Sequence, residues 1–379
     1  MKNIFYIGLI LLALFEVMNV YFIMPMPGSQ RMNSIDLAYF LYSYRWIFRS
    51  TLSLMVLVGA PFAFSSKKVW VPLIAIAPVA VIVYMFNFNM TADHMFLQPD
   101  ELVFKSRSEN TLTDSSLVIS VVHQHEAKAY PVRYIQYHHQ VRDTIAGKPI
   151  MVTYCNVCRT GRVFEPVVDG KPENFRLVGM DHFNAMFEDE TTKSWWRQAT
   201  GEAITGTLKG NALPEVESNQ LTLGKFFLLH PFGKVMKAEA RSKKSYDTLG
   251  RFERGKSKGQ LTRSDTVSWN EKSWVVGVQI DNRAKAYDWN ELKAKRVIHD
   301  KIGSTPIAVA LASDDESFIA FERNADEQFV ERNDSLVSSL HTFDFAGRSS
   351  DGSRARLLKS YQEFWHSWKQ FHPETEAYK

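Results

Sequence analysis

The chain has 379 residues, more than one ordinary domain, and 45% of them are hydrophobic, so two or three folding units with substantial cores are expected. The net charge is +4, and Lys2, Arg31, Arg45, Arg49, Lys67 and Lys68, set against Glu16 and Asp36, account for all of it before Met90. The remaining charges balance and leave no footprint for nucleic acid, so the partner implied by the basic excess is the lipid bilayer.

Three apolar segments open the chain: Ile4 to Met24, Trp46 to Phe64 and Val69 to Phe86. Each is near the length that a helix needs to cross a bilayer core, and residues 1–90 read as a membrane anchor of three transmembrane helices. The first segment is longer than the apolar part of a signal peptide, and Met-Pro-Met-Pro-Gly follows it in place of a small-x-small cleavage site. The Lys67-Lys68 pair in the tight loop before the third span favours the cytoplasmic side, which puts everything after about Met90 outside a bacterial inner membrane. Arg31, Arg45 and Arg49 favour the opposite orientation. Glu16 lies within the first span and needs a partner on a neighbouring helix.

The outer part repeats itself. A shift of 157 positions without gaps places Ala127-Lys-Ala-Tyr130 on Ala284-Lys-Ala-Tyr287, Asp143 on Asp300, Ile145 on Ile302, Pro149-Ile150 on Pro306-Ile307, Val152 on Val309 and Phe164 on Phe321. Val118 to Val122 and Val275 to Gln279 read as strands that turn into the Ala-Lys-Ala-Tyr strand, a hairpin in each copy. A short helical or irregular stretch follows (Arg133 to Val141; Asn290 to Val297), then an apolar strand that ends at Cys155 in one copy and Ala312 in the other. The first copy continues through Arg162 to Val168, the Asp169-Gly170 turn and Phe175 to Val178, a second hairpin pattern. Each copy ends in a short amphipathic stretch stopped by a proline, Pro231 or Pro373. Between the copies, Lys234 to Lys258 is basic with few apolar residues and reads as a linker, with attraction to anionic lipid as the sharper alternative. The expected fold is α+β and β-rich: two related antiparallel-strand modules, an internal duplication, after the three-helix anchor. The boundaries are 1–90 for the anchor, 91–235 for the first module, 236–272 for the linker and 273–379 for a degenerate second module.

Cys155 and Cys158 are the only cysteines, and they stand at C-x-x-C spacing at the end of the strand Ile150 to Tyr154, with Gly161 to let the chain turn away. Under the same shift they fall on Ala312 and Asp315, and His138 falls on Lys295. Positions that build the scaffold keep their character in both copies, as Val152 and Phe164 do. The two sulfurs and His138 therefore read as additions to the scaffold.

The run Ala127-Lys-Ala-Tyr-Pro131, His138, Val141, Asp143, Gly147-Lys-Pro149 and Val152-Thr-Tyr-Cys-x-x-Cys158 resembles the bacterial family catalogued as domain of unknown function 3179. The likeness continues through Phe187-Glu-Asp-Glu-Thr-Thr-Lys-Ser-Trp195 and Gln198-Ala-Thr-Gly-Glu-Ala-Ile204, so that it covers about Leu117 to Val235. It implies an exported or membrane-attached bacterial protein and supplies no activity. The chain departs from the family at Asn156-Val157, where Pro-Leu is usual, and at Phe183-Asn184, where Ser-Asp is usual.

Metal binding is the first chemistry that these residues suggest. Two thiolates need further ligands; His138, at the family's histidine, is the third, and Met186, at the family's methionine, a soft fourth. A Cys, Cys, His, Met set favours Cu(I) over zinc, so copper or zinc is the implied cofactor. Core packing is the plain alternative for Met186, a hydrogen-bonded histidine for His138 and a solvated hairpin end for His123 and His125. Thiol redox exchange with a small thiol or disulfide is the second reading, with Arg159 and Arg162 available to stabilise a thiolate. A structural disulfide within a binding or interaction module is the third. A hydrolytic site among Asp181, His182, Glu188, Asp189 and Glu190 beside Trp195-Trp196 is a further alternative, and acidic clusters of that kind are usually solvated turns. No covalent haem is expected, because Arg159 stands where C-x-x-C-H requires histidine, and no nucleotide, because the chain has no Gly-rich phosphate loop.

Overall fold

The opening 97 residues are rich in leucine, isoleucine and valine, and in the computed structural model, which describes residues 1–65 and 67–379, they form three long apolar helices. These are Lys2–Tyr21, Arg45–Phe64 and Trp70–Asn89, each long and apolar enough to cross a membrane, the last ending in a π-helical turn, Met85–Asn89. A shorter helix, Ile35–Ser43, lies between the first two. The helices meet through Phe5, Leu9, Ala63 and Val79. Gly59 makes their close approach possible: a Cβ there would lie 2.5 Å from the backbone nitrogen of Phe5. Glu16 is 1% exposed and takes Arg49 Nε at 2.7 Å, Arg49 Nη2 at 2.8 Å and Asn87 Nδ2 at 2.9 Å, which supplies the cross-helix partner expected from the sequence.

By contacts the chain divides into two units. The first comprises Met1–Leu97, Asn174–Arg197 and Glu202–Ala212; the second comprises Gln98–Glu173, Gln198–Gly201 and Leu213–Lys379. Within the first unit four strands pair antiparallel in the order Ala203–Thr205, Trp195–Arg197, Asn184–Asp189, Phe175–Asp181. The second hairpin expected across Asp169-Gly170 is therefore different from its sequence pattern. Only Val167–Val168 and Lys171–Pro172 pair across that turn, while Phe175–Asp181 pairs with Asn184–Asp189. The strand's apolar face is the reason, since Val178 joins Val20, Ile23, Met186 and Trp195 in one core.

In the second unit one succession of elements occurs twice. Leu117–His123, Glu126–Pro131, helix Val132–His138, Gln140–Ile145, Lys148–Cys155 and Thr160–Phe164 form the first run. Trp274–Ile280, Arg283–Asp288, helix Trp289–Lys295, Val297–Ile302, Thr305–Leu311 and Phe318–Glu322 form the second. Details recur at the 157-residue offset as well. Lys128 Nζ and Tyr130 Oη donate to Asp143 Oδ2 at 2.9 and 2.6 Å; Lys285 Nζ and Tyr287 Oη lie 2.7 and 3.0 Å from Asp300 Oδ2. After each short helix a residue at positive φ, His139 (61°) or Arg296 (64°), accepts through its carbonyl from a strand nitrogen, Tyr154 N at 3.0 Å or Leu311 N at 2.8 Å. Each run is closed by a strand, a seven-residue helix (Leu223–Leu229; Trp365–Phe371) and a short strand that pairs in parallel with the Ala-Lys-Ala-Tyr strand. The fold is mixed α+β with many strands, beside an N-terminal region of three long apolar helices.

The stretch read as a basic linker has structure of its own. Helix Lys243–Glu253 buries Tyr246, Phe252 and Glu253, and Tyr246 and Phe252 join Tyr134, Tyr154 and Val163 in the core of the first run. The few apolar residues of that segment fall on one face at helical spacing and its lysines on the other.

Candidate functional site around the cysteine pair

The strand Lys148–Cys155 is apolar and β-branched, and it runs between Gln140–Ile145 and Thr160–Phe164 in a three-stranded antiparallel sheet. Cys155 is its last residue and pairs with Thr160, so the turn 156–159 carries Cys158 back beside the same strand end. Arg159, at φ 56°, makes the reversal. Gly161 serves a different purpose from the turn expected of it: it lies in the next strand, and a Cβ there would come within 2.7 Å of Ile119 Cδ1. Both cysteines are fully buried, and no disulfide joins them.

Residues distant in sequence complete the surroundings. Phe364 N donates to Cys158 O at 2.9 Å, so the closing strand of the second run holds the cysteine turn. The half-buried Lys272 sends its ammonium to the carbonyl between the two cysteines, Val157 O, at 2.7 Å, and to Leu261 O at 2.8 Å. Its Nζ also lies 3.0 Å from His366 Nε2, which in turn is 3.3 Å from Val157 O. Burial depresses the Lys272 ammonium, and the sulfurs of Cys158 and then Cys155 pull it back upward. His366 is pushed down to about 3, by burial first and by the Lys272 charge second, so its imidazole is neutral and its Nε2 can accept from the ammonium. A cation is thus held against the turn that carries the two buried sulfurs.

The two arginines of the motif are directed elsewhere. Arg159, fully buried, donates to Gln362 Oε1 at 2.9 Å, Phe252 O at 3.1 Å and Glu253 O at 2.9 Å, and stacks 3.5 Å from the Trp274 ring. It thereby satisfies the last carbonyls of helix Lys243–Glu253. Arg162 pairs with the buried Glu363 at 2.5 Å, and Glu363 also accepts from Thr160 Oγ1 at 2.8 Å. Gln198, from the Gln-Ala-Thr-Gly motif, donates to Thr153 Oγ1 at 3.0 Å and Thr160 O at 3.2 Å and so ties that segment to the strands carrying the cysteines.

Of the four residues named as metal ligands, Cys155 and Cys158 share one turn. His138 is buried with Nε2 at 2.6 Å from Tyr246 Oη. Met186 belongs to the first unit, where it is fully buried with Val178, Trp195 and Ile204. Among the described residues no three His, Cys, Asp or Glu side chains are grouped to hold a metal ion. In the acidic stretch beside the tryptophans Glu188 and Asp189 are buried and Glu190 is exposed: Trp195 Nε1 donates to Glu188 Oε2 and Trp196 Nε1 to Asp189 Oδ2, both at 2.9 Å. His182 is held against Asp181 at 2.7 Å.

Lys272 and His366 were not legible as site residues. Lys272 falls on the last residue assigned to the linker, with no motif around it. His366 did leave a trace: aligning the two closing helices on Pro231 and Pro373 sets it opposite Gly224, a difference of the kind that marked the cysteines.

A second polar cleft of about 550 Å³ lies in the same unit, with Arg133, Lys225, Glu253, Arg254, Glu316 and Asp334 on its walls. Burial raises the Glu253 carboxyl and pushes that of Glu316 up to about 7.

No curated protein and no solved structure matches the chain. The family model described as "Protein of unknown function (DUF3179)" matches residues 99–375, a span that holds both runs, the cysteine turn, Lys272 and His366, and the chain belongs to that family.

Proposed function

We propose that this is a membrane-anchored dithiol protein whose Cys155 and Cys158 cycle between dithiol and disulfide against small disulfides. The ammonium of Lys272, 2.7 Å from the carbonyl between the two cysteines, carries this reading. A cation beside a thiol favours the thiolate, the nucleophile of disulfide exchange. One thiolate next to one ammonium is also neutral overall, the charge state that a buried site tolerates best. The thiolate attacks one sulfur of the small disulfide, and the second cysteine then displaces the mixed disulfide. Two cysteine thiols plus one RSSR become one Cys155–Cys158 disulfide plus two RSH; two electrons and two protons pass to the substrate. The complete burial of both sulfurs restricts the partner to a small molecule or to a segment admitted by local opening. The Lys67-Lys68 pair supports placing the second unit on the extracytoplasmic side of a bacterial inner membrane, where such chemistry persists.

The same charge count favours a second reading, binding of a soft metal ion. Two thiolates and Cu(I) carry one negative charge that Lys272 neutralises, whereas two thiolates and Zn²⁺ leave the ammonium unbalanced. Cu(I) accepts two thiolate ligands without a third residue. His138 and Met186, as the wider ligand set suggested by the family pattern, enter this reading as residues to vary.

The test uses the full chain in detergent, equilibrated without oxygen in buffers of reduced and oxidised glutathione. Alkylation and mass measurement should show a reversible change from two free thiols to none, lost in Cys155→Ser. Thiols that stay reduced, or a disulfide that stays inert, at every ratio would overturn the redox reading; the inert disulfide would make the pair structural. Elemental analysis after Cu(I) addition decides the second reading: about one copper per chain, absent from the Cys155→Ser/Cys158→Ser variant.

A further inference from the structure

The first unit contains a cavity of about 340 Å³ with no connection to the thiol chemistry. It lies where the three membrane-length helices end together, with Asn19 from the first, Arg45 and Arg49 from the second and Asn87 from the third among its walls. Arg45 opens helix Arg45–Phe64 and Arg49 follows one turn later; the first turn has no acidic residue and no side-chain cap. That end of a helix is the positive end of its dipole, so the Arg45 guanidinium is unfavourably placed there without an anion. Glu16 answers Arg49, and Arg176, also on the wall, is answered by Glu188 at 2.9 Å and Asp93 at 3.3 Å. Arg45 has no such partner. Its Nη1 donates to Tyr42 O at 2.6 Å and its guanidinium lies 3.9 Å from the Tyr42 ring, and among the described residues no carboxylate pairs with it. Arg45 therefore stands on the cavity wall at an uncapped helix start without a carboxylate partner, while the wall's own carboxylate, Asp93, is engaged by Arg176.

Asn19 adds an independent observation. It is 7% exposed, and its Oδ1 has no hydrogen-bond partner among the described residues. A buried acceptor left unmade costs free energy until a donor reaches it. The unmatched groups are thus a cation that wants an anion and an acceptor that wants a donor.

We propose that this cavity binds one phospholipid headgroup, with the phosphodiester on Arg45 and the start of its helix, and the headgroup's ammonium or hydroxyl on Asn19 Oδ1. Phosphatidylethanolamine and phosphatidylglycerol present both groups; phosphatidylcholine presents the phosphate without a donor. The site rests on the membrane anchor and is separate from the cysteine pair, so failure of either leaves the other standing. Helix ends of an anchor also lie at the level where phosphates sit.

The full chain in mild detergent, titrated with each lipid and followed by native mass spectrometry, provides the test. Wild type should retain about one phosphatidylethanolamine or phosphatidylglycerol per chain in preference to phosphatidylcholine. Arg45→Gln should weaken retention about tenfold, the loss of one charge-assisted contact. Arg31→Gln, an exposed arginine away from the cavity, should leave retention unchanged. Asn19→Leu should abolish the preference over phosphatidylcholine while leaving Arg45 in place, a readout that survives if Arg45→Gln does not fold. Equal retention of all three lipids by wild type, retention unchanged in Arg45→Gln, or binding of inorganic phosphate with no lipid retained would overturn the proposal.

Discussion

Replacing Lys272 by methionine removes the ammonium held against the carbonyl between the two cysteines while keeping a chain of similar length. Two unit charges about 6 Å apart at an effective dielectric constant of about 20 attract by about 3 kcal/mol, about two pKa units, and a change of that order is expected on the thiol that ionises. At a pH below both values the thiolate fraction falls about a hundredfold. A more basic thiolate is also a better nucleophile by nearly one logarithmic unit over that range, so the alkylation rate falls only about tenfold. Because access to buried sulfurs also affects rates, the decisive readout is the pH at which thiolate ultraviolet absorbance appears. In Lys272→Met it should appear about two units higher than in wild type, and in Lys272→Arg, which keeps the charge, close to wild type. An inflection at the same pH in all three proteins would show that the ammonium does not act on the thiols and would remove the basis of the redox reading.

Arg159→Met leaves the carbonyls of Phe252 and Glu253 without their buried donor, and should cost about 2 to 4 kcal/mol, seen as a melting temperature lower by several degrees for the full chain; an unchanged melting temperature would contradict it. Glu316 and the buried histidines should give stability opposite slopes with pH. The Glu316 carboxyl, pushed up to about 7 by burial from an unfolded value of 4.5, is protonated in the folded protein over a range where the unfolded chain has released that proton. Its contribution is therefore lost as pH rises through that window, and Glu316→Gln should flatten melting temperature between about pH 5 and about pH 8. His366 and His139, pushed down to about 3 and about 4 by burial, do the reverse: the unfolded chain takes up those protons below 6.5, so their contribution is lost as pH falls. A Glu316→Gln curve parallel to wild type above about pH 6 would refute the assignment.

Much of this protein is legible in one dimension. Membrane-length helices follow from runs of apolar residues, because the length of an apolar helix alone decides whether it can span a bilayer core. The repeated succession of strands and short helix follows from matching Ala-Lys-Ala-Tyr, Asp and Pro-Ile positions, because these fix hairpins and the Tyr-Asp contacts that recur in both runs. The cysteine pair is local, and so was visible; it belongs to a family matched over residues 99–375, whose motifs gave the resemblance.

The rest was decided by contacts between distant residues. Phe175–Asp181 has the alternation to close a hairpin on Val163, yet it pairs within the first unit, where its apolar face meets residues of the opening helix. Lys243–Glu253 looks like a linker by charge and becomes a helix because its inward Tyr246 and Phe252 find a core in the first run. Lys272 and His366 reach the cysteine turn from 114 and 208 positions after Cys158, brought there by the closing strand that donates Phe364 N to Cys158 O. Sequence set the sulfurs at one turn. Which cation would face them depended on a strand from the other run, and long-range pairing of that kind leaves no periodic pattern to read.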